Sequence, residues 1–261
     1  MQQPLLAFNN VEISYDDEAM IQGVSLKMNK GEILGIVGES GSGKSTLIKA
    51  SMGLLGRSGR VSQGEILYQG QNVLNLGDEA FRNLRGPKMG MIFQNCGSAL
   101  CPIRTIGDQL CEAMKEHGQT DRQAIKDEAL AMFDRIHLHD GDRILNSYPF
   151  ELSGGMNQRV GIVMAMILKP DLLFADEPTS ALDVTVQAQV VKEMMALRET
   201  FGMSIVIVTH NIGVVSYMAD NVAVMHKGRL VEYGKTRDVI DHPIKDYTRQ
   251  LIGAVPRIRR G

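Results

Sequence analysis

Apolar and polar residues mix over Leu5–Tyr15 as they do along a half-buried strand. Val24–Met28 and Ile33–Val37 predict two further strands, joined by an Asn29-Lys30-Gly31 turn, and Val61–Tyr68 a fourth between Gly59 and Gly70. A helix is predicted to begin inside Gly38–Gly43 and to run to about Gly53. The spacing then becomes helical over Thr105–His117, Thr120–Ile136 and the stretch after Pro149. Ile125, Ala129, Met132, Phe133 and Ile136 share one helix face, and Thr120 with Gln123 reads as a capping box. Residues 95–160 therefore read as a helical insertion. Afterwards the pattern predicts a strand at Asp171–Ala175, helices over Asn157–Leu168 and Val184–Thr200, and a strand buried on both faces at Ser204–Val208. Val222–Met225 and Arg229–Tyr233 flank Lys227-Gly228 as a hairpin, and the tail 236–261 reads as helical, then basic. Strands alternating with helices predict an α/β fold with a mostly parallel sheet and right-handed crossovers.

Composition narrows the picture slightly. The chain has 261 residues, room for one large domain or a domain with an inserted subdomain. Its 28 basic and 30 acidic residues leave a net charge of −2, which does not point to nucleic acid. The opening MQQPLLAFNN has neither a basic segment nor a long apolar one, and the apolar run near Val160–Leu168 ends at Lys169-Pro170, short of the roughly 20 residues a bilayer needs. The expectation is a protein kept in the cytosol unless a partner holds it at a membrane. Cys96, Cys101 and Cys111 match no zinc-site spacing and are expected as free thiols. The 16 methionines read as core filler.

Four stretches carry chemistry. Gly38-Glu39-Ser40-Gly41-Ser42-Gly43-Lys44-Ser45 fits G-x-x-x-x-G-K-[ST] at every position. The apolar strand Ile33–Val37 enters it and the helix starting near Thr46 leaves it, a context that an ordinary glycine-rich turn lacks. Glycines let backbone N–H groups wrap a phosphate, and the helix N-terminus adds partial positive charge. Lys44 would reach the β- and γ-phosphates of a nucleotide and Ser45 would coordinate Mg²⁺. Farther on, Asp176-Glu177 follows the apolar Leu172-Leu173-Phe174-Ala175. Such a pair also makes ordinary solvated turns. After a phosphate loop it suits a Walker B element, with Asp176 holding Mg²⁺ through water and Glu177 orienting or deprotonating the attacking water. His210 ends the strand Ser204–Thr209, where a structural histidine and a γ-phosphate sensor would both fit. Finally Leu152-Ser153-Gly154-Gly155-Met156 precedes a helix: Ser153, Gly154 and Gly155 can cap it and can also offer bare N–H groups to a second phosphate.

With these motifs in order, the chain resembles the ATP-binding cassette subunits of ABC transporters over nearly its whole length. The resemblance adds a Q-loop glutamine at Gln94, a D-loop at Ser180-Ala181-Leu182-Asp183 and Tyr15 as the aromatic that stacks on adenine. It implies a P-loop NTPase fold: a RecA-like core with an antiparallel β subdomain (1–94 and 161–235), a helical signature subdomain (95–160) and a C-terminal extension (236–261). It also implies ATP and Mg²⁺ as cofactors, with Thr46 beside the phosphates and Gln94 joining Ser45 and Asp176 at the metal.

Met156-Asn157-Gln158-Arg159, the run Ala181–Gln189 and the tail residues His242-Pro243, Tyr247-Thr248-Arg249 and Ala254-Val255-Pro256 resemble the first of two ATPases in dipeptide, oligopeptide and nickel importers. The implied partners are a second, different ABC ATPase, two membrane permease subunits and, indirectly, a solute-binding protein, with the chain peripheral on the cytoplasmic face. In that arrangement each ATP lies between the phosphate loop of one ATPase and the signature of the other. Asn95-Cys96 stands where the subgroup usually reads Asp-Pro. The sequence stops at Gly261 without the cysteine cluster of many relatives, so no iron–sulfur centre is expected. A ribosome- or DNA-acting ABC ATPase, a P-loop kinase and an exporter ATPase are the competing readings; one cassette without a heptad run argues against the first, and the signature and D-loop against the second.

Overall fold

A computed structural model describes residues 3–180 and 182–254. In chain order the elements are β1 (Leu6–Tyr15), β2 (Glu18–Met28), β3 (Ile33–Val37), α1 (Lys44–Ser51), β4 (Gly59–Tyr68), β5 (Gln71–Asn72), α2 (Asp78–Leu84) and β6 (Met89–Ile92). Five helices follow: α3 (Cys96–Ala99), α4 (Ile106–Lys115), α5 (Arg122–Arg135), α6 (Gly141–Asn146) and α7 (Gly154–Met166). Next come β7 (Leu172–Asp176), α8 (Val184–Phe201), β8 (Ser204–Val208), α9 (Ile212–Met218), β9 (Asn221–His226), β10 (Arg229–Lys235), α10 (Thr236–Asp241) and α11 (Asp246–Gly253). Two compact units divide the chain, one made of the segments up to Phe81 and from Ile205 onward, the other of Arg82–Ser204.

The first unit holds two sheets. β1 lies between β2 and β4, antiparallel to both, and β5 extends β4. β3 lies between β8 and β9, parallel to both, and β10 returns antiparallel along β9. Every residue of β3 and β8 is buried, which is why these segments are apolar without alternation. Val37, Val222 and Val224 pack with Ile212, Val215, Val239 and Ile252, so α9, α10 and α11 cover the sheet beneath the end of β3.

The second unit pairs β6 with β7 in parallel, and α7 packs against β6. Ile125, Ala129, Met132 and Phe133 form the buried face of α5, as their spacing predicts. The cap of that helix differs from the predicted box. Asp121 is the N-cap: its Oδ1 accepts from the N–H groups of Gln123 (2.9 Å) and Ala124 (3.3 Å), while the Gln123 amide turns forward to Asp127 (2.8 Å). The chain's path places Asp121, one residue on from Thr120, where one side-chain oxygen meets both amides. α7 also begins earlier than its apolar run, with Gly154 and Gly155 inside its first turn.

Cys96 is buried, and burial pushes its thiol up to about 11. A Cβ at Gly161 on α7 would lie 2.3 Å from its Sγ and 2.5 Å from its Cβ. Gly161→Ala is therefore expected to destabilise the protein by about 1–3 kcal/mol, read as a lower urea midpoint, and Cys96→Gly in the same chain to recover part of the loss. None of the three cysteines forms a disulfide. Among the described residues no helix is long and apolar enough to cross a membrane. The basic end Arg257-Ile258-Arg259-Arg260, the tail residues Val255-Pro256 and the D-loop Ala181 lie outside the described residues.

Candidate active site

The phosphate loop joins β3 to α1 in the first unit. Gly38 has φ +153°, and a Cβ there would meet the Met225 carbonyl oxygen at 2.1 Å; Gly43 has φ +92°, and its Cβ would meet Ile21 Cδ1 at 2.4 Å. Only glycine lets the loop pass this close to β9 and β2. Gly43 is the N-cap of α1 and supplies no side chain, so the first turn of that helix is left open to an anion. Lys44 is 5% exposed, and its Nζ donates to the carbonyls of Gly38 (2.9 Å) and Glu39 (2.8 Å) and to Ser42 Oγ (3.4 Å). The Ser42 N–H donates to Glu39 O (3.2 Å), and the hairpin glycine Gly228 donates to Ser42 O (3.2 Å). Ser40 and Gly41 are exposed at the crest, and Ser45 and Thr46 are half-buried at the start of α1. A buried ammonium beside a helix head without a side-chain cap can hold an anion such as phosphate.

The loop is also held from behind. The Glu39 N–H donates to the Tyr247 hydroxyl oxygen (3.3 Å), and the Tyr247 ring lies tilted on His226 with centroids 4.0 Å apart. Burial raises the Tyr247 pKa, which keeps the phenol neutral. α11 is in turn fixed by Glu232, whose carboxylate accepts from the N–H groups of Ile244 (2.9 Å) and Lys245 (3.2 Å). In the sequence Tyr247 is only part of the importer-like tail, and no spacing marks this contact.

Tyr15 ends β1, half-buried, with its ring over Gly59, where a Cβ would come within 2.7 Å of Cε1. His210 lies two residues past the end of β8, exposed, and the Thr209 N–H before it donates to Ile36 O (3.1 Å). His210 and the phosphate loop therefore leave the C-terminal ends of neighbouring parallel strands, the usual ligand edge of such a sheet.

The second unit repeats this geometry. Ile92 of β6 pairs with Ala175 of β7, so Gln94 and Glu177 each sit two residues past the end of that parallel register. Asp176 is 3% exposed; Glu177 is half-buried in a left-handed conformation (φ +46°), and Gln94 is exposed. The N–H and Oγ of Ser180 both donate to the Glu177 carbonyl (3.2 Å each), closing the turn. Among the described residues no cluster of three His, Cys, Asp or Glu could hold a metal.

The signature heads α7. Ser153 is its N-cap, with Oγ accepting from the Met156 N–H (3.3 Å). A Cβ at Gly154 would meet nothing within 4 Å, and one at Gly155 only Val186 Cγ1 at 3.8 Å. The chain itself therefore does not require glycine here.

A sequence model of the ABC transporter family matches residues 21–180, more than half of the chain. The chain belongs to the ABC transporter family. It carries the ATPase domain of that family. The ABC cassette is 40% identical over 261 residues to the dipeptide transport ATP-binding protein DppD of Bacillus subtilis, covering 98% of this chain and 78% of that one. It is 42% identical over 252 residues to the oligopeptide transport ATP-binding protein AmiE of Streptococcus pneumoniae, covering 95% and 71%. A dimeric structure of the ATP-binding cassette MJ0796, in a post-hydrolysis state bound to ADP and Pi, matches with a TM-score of 0.78 at 27% identity, covering 89% of this chain and 99% of that one. These matches agree with the α/β P-loop fold and the ABC ATPase read from the motifs.

Proposed function

We propose that this cassette is the ATP-hydrolysing subunit of an importer for peptides, and that it works at the cytoplasmic face of a membrane against a second ATPase, two permease subunits and, through them, a solute-binding protein. The observation that supports this reading is the pair Gly154-Gly155, an open glycine helix head in a chain that already has a phosphate-loop sequence. An enzyme acting alone needs one such device; two cassettes arranged head to tail use both. Peptide is preferred to nickel or a metal chelate because the relatives at about 40% identity are named for dipeptide and oligopeptide transport.

In this reading residues 1–94 and 161–235 form the nucleotide-binding core, 95–160 the signature subdomain and 236–261 an extension. Tyr15 stacks on adenine. Gly38 through Thr46 cradle the phosphates, with Lys44 on the transferring charge. Ser45, Asp176 and Gln94 serve Mg²⁺, Glu177 is the general base for water, His210 senses the γ-phosphate, and Ser153, Gly154 and Gly155 hold the phosphate of the partner's ATP.

The test is to tag the cassette at its N-terminus, solubilise native membranes in mild detergent and identify what co-purifies by mass spectrometry. Two permeases, a second ATPase and a solute-binding protein are expected. Ribosomal proteins or DNA-repair factors without any permease would overturn the transporter reading.

A further inference from the structure

The second turn of α7 is tied to the turn that carries Glu177. Gln158 is 6% exposed, and its Nε2 donates to the Pro178 carbonyl at 2.6 Å in a buried setting. Pro178 directly follows Glu177, so Ser180 grips the carbonyl of the candidate base itself while Gln158 grips the carbonyl one residue on. Both grips hold a non-glycine residue in a left-handed conformation that costs free energy to maintain. The neighbours of Gln158 anchor the helix around it. Asn157 Nδ2 donates to Pro149 O (2.9 Å) and Leu152 O (3.3 Å), and the Arg159 guanidinium pairs with Glu193 (3.2 Å), whose side chain is 2% exposed and also accepts from Gln189 (3.0 Å). Gln158 lies one turn along α7 from Gly154, and a helix moves as a stiff body over one turn. A displacement of the signature head therefore reaches the Pro178 peptide through a single hydrogen bond.

We infer that Gln158 is a positioning residue that sets the backbone of Glu177 according to whether the signature head of the same chain has a phosphate docked on it. The inference rests on the head-to-tail reading above. There the signature of this chain touches the ATP held by its partner, whereas Glu177 acts on the ATP held by its own phosphate loop. Gln158 then links two nucleotide sites: hydrolysis at one becomes sensitive to occupancy of the other. This is coupling through one identified contact that ligand binding biases.

The experiment uses the complete transporter in detergent or nanodiscs, measuring phosphate release against ATP concentration for wild type, Gln158→Ala and Gln158→Glu, with thermal melting of each. Gln158→Ala is expected to lower kcat on the order of 10- to 100-fold with little change in KM, as for a misplaced catalytic group, and to bring the Hill coefficient toward one. Gln158→Glu supplies a donor only when protonated, and burial raises a carboxyl pKa. Its activity relative to wild type is therefore expected to recover as pH falls from 8 to about 6, the range in which a buried carboxyl regains its proton. That pH signature separates positioning from loss of stability should the alanine variant melt early. A cooperative wild type with an alanine variant of unchanged kcat and Hill coefficient, or a Gln158→Glu deficit that is flat with pH, overturns the inference and leaves the ATPase reading intact. A wild-type complex that hydrolyses no ATP overturns the reading itself.

Discussion

Glu177→Gln in the assembled complex is expected to lower ATP turnover by about 10²- to 10⁴-fold, the usual contribution of a positioned general base, while ATP binding stays near wild type. The substitution keeps the shape of the side chain and removes only its basic oxygen. The backbone should not change, because the turn is closed through main-chain carbonyls that both Ser180 and Gln158 reach. Binding should persist because the groups that grip phosphate, the amides of the loop and the Lys44 ammonium, lie in the other unit. Phosphate release and filter-bound nucleotide, measured on the same preparation, check both halves. A variant hydrolysing at the wild-type rate would remove Glu177 from this role.

The two sets of glycines are expected to fail in opposite ways. Gly38→Ala forces a Cβ to within 2.1 Å of a main-chain oxygen of β9 at a φ of +153°, so overlap and backbone strain add. A loss of about 2–5 kcal/mol in unfolding free energy, together with loss of nucleotide binding, is expected. Gly154→Ala meets no atom, and alanine favours a helix over glycine by up to about 1 kcal/mol. That variant should fold at least as well as wild type, bind ATP normally and still turn over more slowly, because its methyl group fills the space that the partner's phosphate takes in the proposed head-to-tail pair. Urea titration and ATPase assays on the two variants check the contrast. A Gly154→Ala complex with full activity would count against the signature as a phosphate contact.

Sequence and structure agree best where chemistry is local. The phosphate loop is legible because strand, glycines, lysine and helix follow one another within a single turn of chain, and each residue type has its own reason to be there. β3 and β8 are legible because burial on both faces leaves an unbroken apolar run. The buried face of α5 follows from its spacing, but its cap does not, since Thr120 and Asp121 are both good caps and only the chain's path selects between them. β6 escapes prediction because Met-Gly-Met-Ile has little β character of its own and is a strand through pairing with β7. α2 escapes because it buries no residue and so has no period to read. Gln158 and Tyr247 are invisible in another way. Each acts through a main-chain group distant in sequence, Pro178 O for one and Glu39 N–H for the other, and no spacing rule records such a partner.

The hydroxyl of Tyr247 behind the phosphate loop bears on how cassettes of this kind are cut and spliced. A border drawn after β10, at Lys235, leaves every motif from Tyr15 to His210 in place and would pass any inspection for completeness. The fragment would nevertheless lack the phenol under Glu39, the ring beside His226 and the apolar cover that Ile252 gives the end of β3. For chimaeras and fusions, the working unit of this cassette extends through α11, and a junction belongs beyond Gly253.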